Sequence, residues 1–144
     1  MQIKIKKLHP QAEIPKYHTE DSAGVDIAAA IDEPIVIKPL ERKLVPAGFA
    51  IEIPKGYEIQ IRARSGLSLK HGITAANGVG TVDADFRGEI CAILVNLSNQ
   101  DFTVEPGMRV AQMVLSKFET IEWNEIDTLG DTTRGKSGYG STGH

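Results

Sequence analysis

The residues best able to do chemistry lie in five short stretches, and the last eleven, Arg134-Gly-Lys-Ser-Gly-Tyr-Gly-Ser-Thr-Gly-His144, carry the most information. Four glycines in eleven positions let the backbone turn its N–H groups toward an anion, while Arg134, Ser141 and Thr142 add charge and hydroxyl donors. Tyr139 offers a flat face to a base, so the combination suggests a lid for a nucleotide. Taken alone the segment also fits a flexible polar tail. Arg64-Ser65-Gly66 closes one expected strand and opens the one expected helix, 66–70, where free N–H groups, a hydroxyl and a guanidinium converge on an anion. Ser65 would then be an N-cap, and His71-Gly72 a stop signal.

The stretch from Asn77 to Glu89 joins three glycines, Asp83, Asp85 and Phe86 within a predicted β-hairpin. Its backbone can read a base edge as a strand would, Phe86 can stack on a sugar or base, and Asp83 can serve as general base on water. A solvated Asp/Gly turn is the plainer alternative. Asp26 sits among small apolar residues in Ala23-Gly-Val-Asp-Ile-Ala-Ala29 and needs a hydrogen-bond or charge partner, which favours a structural role. Arg109 and Gln112 flank an apolar strand, where an ordinary salt bridge also accounts for the arginine.

These groups must be positioned by strands. Short Ile/Val-rich runs broken by Pro or Gly predict a mostly β protein, with strands at 2–7, 35–38, 49–53, 57–63, 89–96, 102–104 and 110–118. Turn signals stand at Pro54-Lys55-Gly56 and Glu105-Pro106-Gly107. In 57–63 Ile59 and Ile61 share one face and Glu58, Gln60 and Arg62 the other. The run 90–95 is apolar without alternation, as in a strand covered on both faces by a sandwich or a subunit interface. Many short strands with tight turns suit a jelly roll or similar barrel.

The chain has 144 residues, enough for a single domain with an ordinary core, and a formal charge of −3 that argues against broad adhesion to nucleic acid or anionic membranes. Cys91 is the only cysteine and reads as a small buried hydrophobe, so no intrachain disulfide is possible. The four histidines are scattered, as solvated or capping residues rather than metal ligands. The basic and apolar alternation of residues 2–7 predicts an edge strand and not a signal peptide; a soluble intracellular protein is the expectation.

Taken together and in order, Ala23-Gly-Val-Asp-Ile27, Arg64-Ser-Gly-Leu67, Gly80-Thr-Val-Asp-Ala-Asp-Phe-Arg-Gly-Glu89, Arg109-Val-Ala-Gln-Met113 and Arg134-Gly-Lys-Ser-Gly-Tyr-Gly-Ser-Thr-Gly143 resemble the five motifs of the trimeric dUTP diphosphatase family. The resemblance implies an all-β, distorted jelly-roll subunit of the β-clip type, residues 1–133, with one short helix and a flexible glycine-rich arm, 134–144. It also implies a cytoplasmic homotrimer with active sites at subunit interfaces, hydrolysing dUTP to dUMP and pyrophosphate. That activity keeps uracil out of DNA and supplies dUMP for thymidylate synthesis.

By the same resemblance Asp83 orients and deprotonates the water that attacks the α-phosphorus. Arg64, Ser65, Gly66 and Gln112 contact the triphosphate, and Arg134, Gly140, Ser141 and Thr142 bring the arm onto it. Asn77, Gly80, Thr81 and Val82 line the uracil pocket, Phe86 lies under the deoxyribose, and Tyr139 stacks on uracil. Mg²⁺ would be held mainly by triphosphate oxygens, with no residue assigned as its ligand. Two positions depart from the family pattern: Phe86 replaces the commoner tyrosine, and Ser137 replaces a glycine, at about 1–3 kcal/mol of strain if that position needs a positive φ. Tyr139 stands for the commoner phenylalanine. A dCTP deaminase of the same fold, a silent nucleotide sensor and a capsid-type structural jelly roll are the alternatives; the arm motif argues against the first, Asp83 against the second, and the ordered motifs against the third.

Overall fold

A computed structural model describes residues 1–139. The described residues fold into eleven strands and one helix: β1 (Lys4–Lys7), β2 (Gly24–Ala28), β3 (Ile35–Ile37), β4 (Arg42–Pro46), β5 (Phe49–Glu52), β6 (Tyr57–Arg62), α1 (Ser65–His71), β7 (Ile73–Ala75), β8 (Gly80–Val82), β9 (Cys91–Asn96), β10 (Phe102–Val104) and β11 (Arg109–Lys117). All pairings are antiparallel, in four sheets ordered β2-β11-β6-β8, β4-β9-β7, β1-β5 and β10-β3. Every sheet sends side chains into one apolar cluster that includes Ile27, Ile37, Val45, Phe49, Ile61, Ile73, Leu94 and Val110. Short antiparallel sheets closed around one core are the jelly-roll solution to burying one face of each strand.

Both expected turns form. Gly56 and Gly107 take φ of +81° and +76°, and Tyr57 N–H and Met108 N–H donate to Pro54 O and Glu105 O at 3.2 and 3.0 Å. The alternation in β6 also holds, with Ile59 and Ile61 buried and Glu58, Gln60 and Arg62 on the wetter face. β1 lies at a sheet edge beside β5. The helix ends at Gly72, whose φ of +67° lets its N–H reach Leu67 O and Ser68 O.

Three expectations are corrected. Ser65 is the first residue of α1 and not its cap; Arg64 takes the cap position, in extended backbone and without a side-chain capping bond. The segment 77–89 is no hairpin, because β8 pairs with β6 while β9 pairs with β4 and β7. The chain leaves one sheet after Ala75 and joins another at Gly80, and this crossing opens a cleft where a hairpin would have closed on itself. Finally, β9 is apolar from Cys91 to Val95 yet alternates in burial within the single chain: Ala92, Leu94 and Asn96 are buried, whereas Ile93 is 39% exposed, so the sandwich covers one face of the strand and leaves the other open to the subunit-interface alternative. Strands β2, β4 and β7 escape a reading by composition, since Asp26, Arg42 and Lys43 interrupt two of them and the third has three residues.

Asn96 is the buried polar residue of the core, at 0% exposure. Its amide nitrogen donates to Ile37 O at 2.8 Å and Gln100 O at 2.6 Å, and its oxygen accepts from Ser98 N and Oγ at 2.9 and 2.8 Å. These four bonds tie β9 to β3 and to the following turn, so the burial carries no desolvation debt.

Candidate active site

β8 is the last strand of its sheet. One edge follows β6 in the register Ile61↔Gly80, Gln60↔Thr81 and Ile59↔Val82, leaving the N–H and C=O groups of the other edge free to read a planar ligand. Beside it lies a cleft of about 350 Å³ lined by Asn77, Gly80, Thr81, Val82, Asp83 and Phe86, joined by Leu44, Cys91 and Ile93 from β4 and β9. Six of the expected site residues thus meet in one place, with the Asp83 carboxylate exposed at its rim, whereas Tyr139, expected to stack on the base, does not line this cleft. Phe86 N–H donates to Asp83 O at 3.1 Å, closing a tight turn between the carboxylate and the aromatic ring.

The expected phosphate contacts form a second group at the far end of β6. Arg64 donates from Nε to Asp26 Oδ1 and from Nη1 to Arg109 O, both at 3.0 Å. Gln112 donates to Ala63 O at 2.9 Å. It packs so closely on Gly24 that a Cβ there would collide with its side-chain amide oxygen, which explains the glycine that opens β2. Ser65 and Gly66 stand exposed at the start of α1. Arg64, Ser65, Gly66 and Gln112 do not line the cleft beside β8.

Asp26 is the hub of this second group. Its carboxylate pairs with Arg64 at 3.0 Å, with Arg109 at 3.2 Å and with His18 Nε2 at 3.6 Å. A bulge in β11, where the register against β2 slips between Arg109 and Ala111, buries Val110 and Ala111 consecutively and turns Arg109 outward toward the aspartate. The partner that the sequence demanded for Asp26 is therefore a pair of guanidinium groups. Asp26→Asn should lower unfolding free energy by about 1–3 kcal/mol, because both arginines lose their counter-ion in a half-buried setting. A shift in urea midpoint equivalent to under about 0.5 kcal/mol would reduce the cluster to an ordinary surface ion pair.

From Lys117, the last residue of β11, to Ser137 the chain is exposed. Arg134 Nε donates to Ser137 O at 2.9 Å, and Gly135, at φ +54°, sends its N–H to Thr132. Ser137 does not take a positive φ; that conformation falls on Gly135 and on Tyr139, at +52°. The strain anticipated at Ser137 is absent. Tyr139 stands fully exposed, while Gly140, Ser141 and Thr142 lie outside the described residues.

A family model described as dUTPase matches residues 10–143. The chain belongs to the dUTPase family. The deoxyuridine 5'-triphosphate nucleotidohydrolase of Rickettsia felis is 54% identical over 143 residues, covering 99% of this chain and 97% of that protein. The same enzyme of Rickettsia akari is 55% identical with the same coverage. Among solved structures, the dUTPase of Staphylococcus bacteriophage 80alpha, determined with dUPNHPP, superposes with a TM-score of 0.89 at 24% identity over 99% of both chains. The jelly-roll dUTPase fold is thereby established for this chain.

Within this dUTPase fold some features of the two sites were not legible in the sequence. His18, expected as a solvated or capping residue, is 65% exposed in its side chain and also reaches Arg109 Nη1 at 3.0 Å. His9 does act as a cap, accepting from Gln11 N–H at 3.2 Å, and lies 3.4 Å from Asp32. Cys91 was expected in the core but is only half-buried at the cleft wall; burial, with a smaller contribution from the Glu89 charge, pushes its thiol pKa up. Only the alternation hidden inside the apolar run of β9 could have placed it there. The described residues hold no group of three His, Cys, Asp or Glu side chains able to grip a metal ion, and no helix among them is long and apolar enough to cross a membrane.

Proposed function

We propose that this chain hydrolyses dUTP to dUMP and pyrophosphate, with the cleft beside β8 as the deoxyuridine site. The observation that carries the reading is the convergence of Asn77, the free edge of Gly80–Val82, Asp83 and Phe86 on that cleft in a dUTPase-family chain. Backbone N–H and C=O groups along β8 match the acceptors and donors of uracil, and cytosine presents the opposite pattern, leaving buried polar groups unpaired. A thymine methyl is rejected by a clash. The Phe86 ring takes the space of a ribose 2′-hydroxyl.

Asp83 accepts a proton from the water that attacks the α-phosphorus; the bond from that phosphorus to the bridging oxygen breaks, and pyrophosphate leaves. General-base assistance supplies about 10²- to 10⁴-fold, so positioning and charge stabilisation must supply the remainder. Ser65, Gly66, Gln112 and Arg64 hold the phosphates, Arg64 being aligned by Asp26. Arg134, Gly140, Ser141 and Thr142 close the arm over them, with Tyr139 stacked on the base. A magnesium ion carried on triphosphate oxygens suits this donor set, since it asks for few protein ligands, and it offsets phosphate charge when bound.

The working form in this proposal is a homotrimer in the cytoplasm, completing each site with phosphate contacts and an arm from other copies. Its support is the separation of the phosphate group from the cleft and the outward-facing pair Leu44 and Ile93, 60% and 39% exposed in register across β4 and β9. Incubation with Mg²⁺ and, separately, dUTP, dCTP, dTTP and UTP tests the activity. dUMP and pyrophosphate from dUTP alone are the expected products; ammonia from dCTP, or no turnover, would overturn the reading.

A further inference from the structure

The turn between Asp83 and Phe86 is held by groups to which the catalytic reading gives no task. Arg87 Nη1 donates to Ala84 O at 2.7 Å and to Phe86 O at 2.8 Å, tying two carbonyls of the turn to one guanidinium. Directly after it, the Phe86 ring folds back over Gly88: a Cβ built on Gly88 would stand 2.5 Å from Cζ, 2.9 Å from Cε2 and 3.2 Å from Cε1 of that ring. Ordinary carbon contacts fall at about 3.5–4.0 Å, so the ring tip occupies space that a side chain would claim. Gly88 is not in the left-handed region, so its backbone accepts any residue. What demands glycine here is the ring.

We propose that Gly88 is a specificity-determining positioning residue, which sets the Phe86 ring at the height that admits a 2′-deoxyribose and refuses a ribose, while Arg87 keeps the turn from yielding. This rests on the reading of the cleft as the deoxyuridine site. An alanine at position 88 drives the ring tip roughly 1 Å away from residue 88, a displacement large enough to change discrimination severely. Fold stability is untouched, because the atoms that must move are the far end of a 44%-exposed side chain.

The test compares Gly88→Ala, Phe86→Ala and the double variant, with kcat and KM measured on dUTP and UTP. Gly88→Ala should lower the dUTP-over-UTP ratio of kcat/KM by about 10-fold or more at an unchanged melting temperature. In the Phe86→Ala background the same substitution should have no further effect, since the ring it displaces is gone. Arg87→Lys, which keeps charge but loses the planar donor, should give a smaller loss in the same direction. An unchanged ratio in Gly88→Ala, or equal effects with and without the ring, would overturn the proposal.

The ring–glycine contact is also read without turnover. Ring-proton resonances of Phe86, assigned by their loss in Phe86→Ala, should shift in Gly88→Ala, and unshifted resonances would overturn it. A wild-type protein inactive on dUTP would instead count against the functional reading.

Discussion

Asp83→Asn should lower kcat on dUTP by about 10²- to 10⁴-fold while leaving the affinity for a non-hydrolysable dUTP analogue within a few-fold of wild type. The side chain stands exposed at the rim of the cleft, so the amide replaces the carboxylate without disturbing the core. An amide keeps the shape and one acceptor oxygen but cannot take up a proton from water at neutral pH. Loss of turnover with retained binding therefore separates proton transfer from recognition. The measurement is kcat by pyrophosphate release beside Kd by calorimetry. Turnover within about threefold of wild type would remove Asp83 from the mechanism.

Ending the chain after Thr133 should reduce kcat/KM for dUTP on the order of 10²-fold or more, with the melting temperature unchanged. Each charge-assisted contact from Arg134 to a phosphate is worth about 1.5–3 kcal/mol, and loss of the arm forfeits in addition the Tyr139 stack and the exclusion of water. Stability is indifferent because, among the described residues, the core cluster draws nothing from beyond β11, and residues 117–137 are exposed. Steady-state kinetics and a thermal melt on the truncated protein decide it. Full activity without Arg134 to His144 would show that the arm is no lid.

The parts of the fold that were legible in the sequence are those whose signal is local. Ile59 and Ile61 alternate with polar neighbours and are buried. Gly56, Gly72 and Gly107 each stand where a positive φ is needed, so the turns and the helix stop could be read directly. The Asn77–Phe86 residues were legible as a group because they are contiguous, and contiguity brings them to one cleft whatever sheet they join. Ser65 was misread because a serine before a helical stretch is the commonest cap, and here the strand simply runs one residue shorter and the helix starts one earlier.

By itself the sequence determined the fold class, the family and the list of candidate residues, since glycine turns, strand periodicity and ordered motifs are properties of neighbours along the chain. Only the tertiary structure decided which candidates share a space. β8 leaves β7's sheet for β6, so a supposed hairpin becomes a cleft edge; Asp26 meets Arg64 and Arg109 across 38 and 83 positions; and the Phe86 ring lies on Gly88. Pairing partners, ion-pair geometry and ring placement depend on packing between segments distant in sequence or folded back on themselves, and periodicity along the chain carries no record of them.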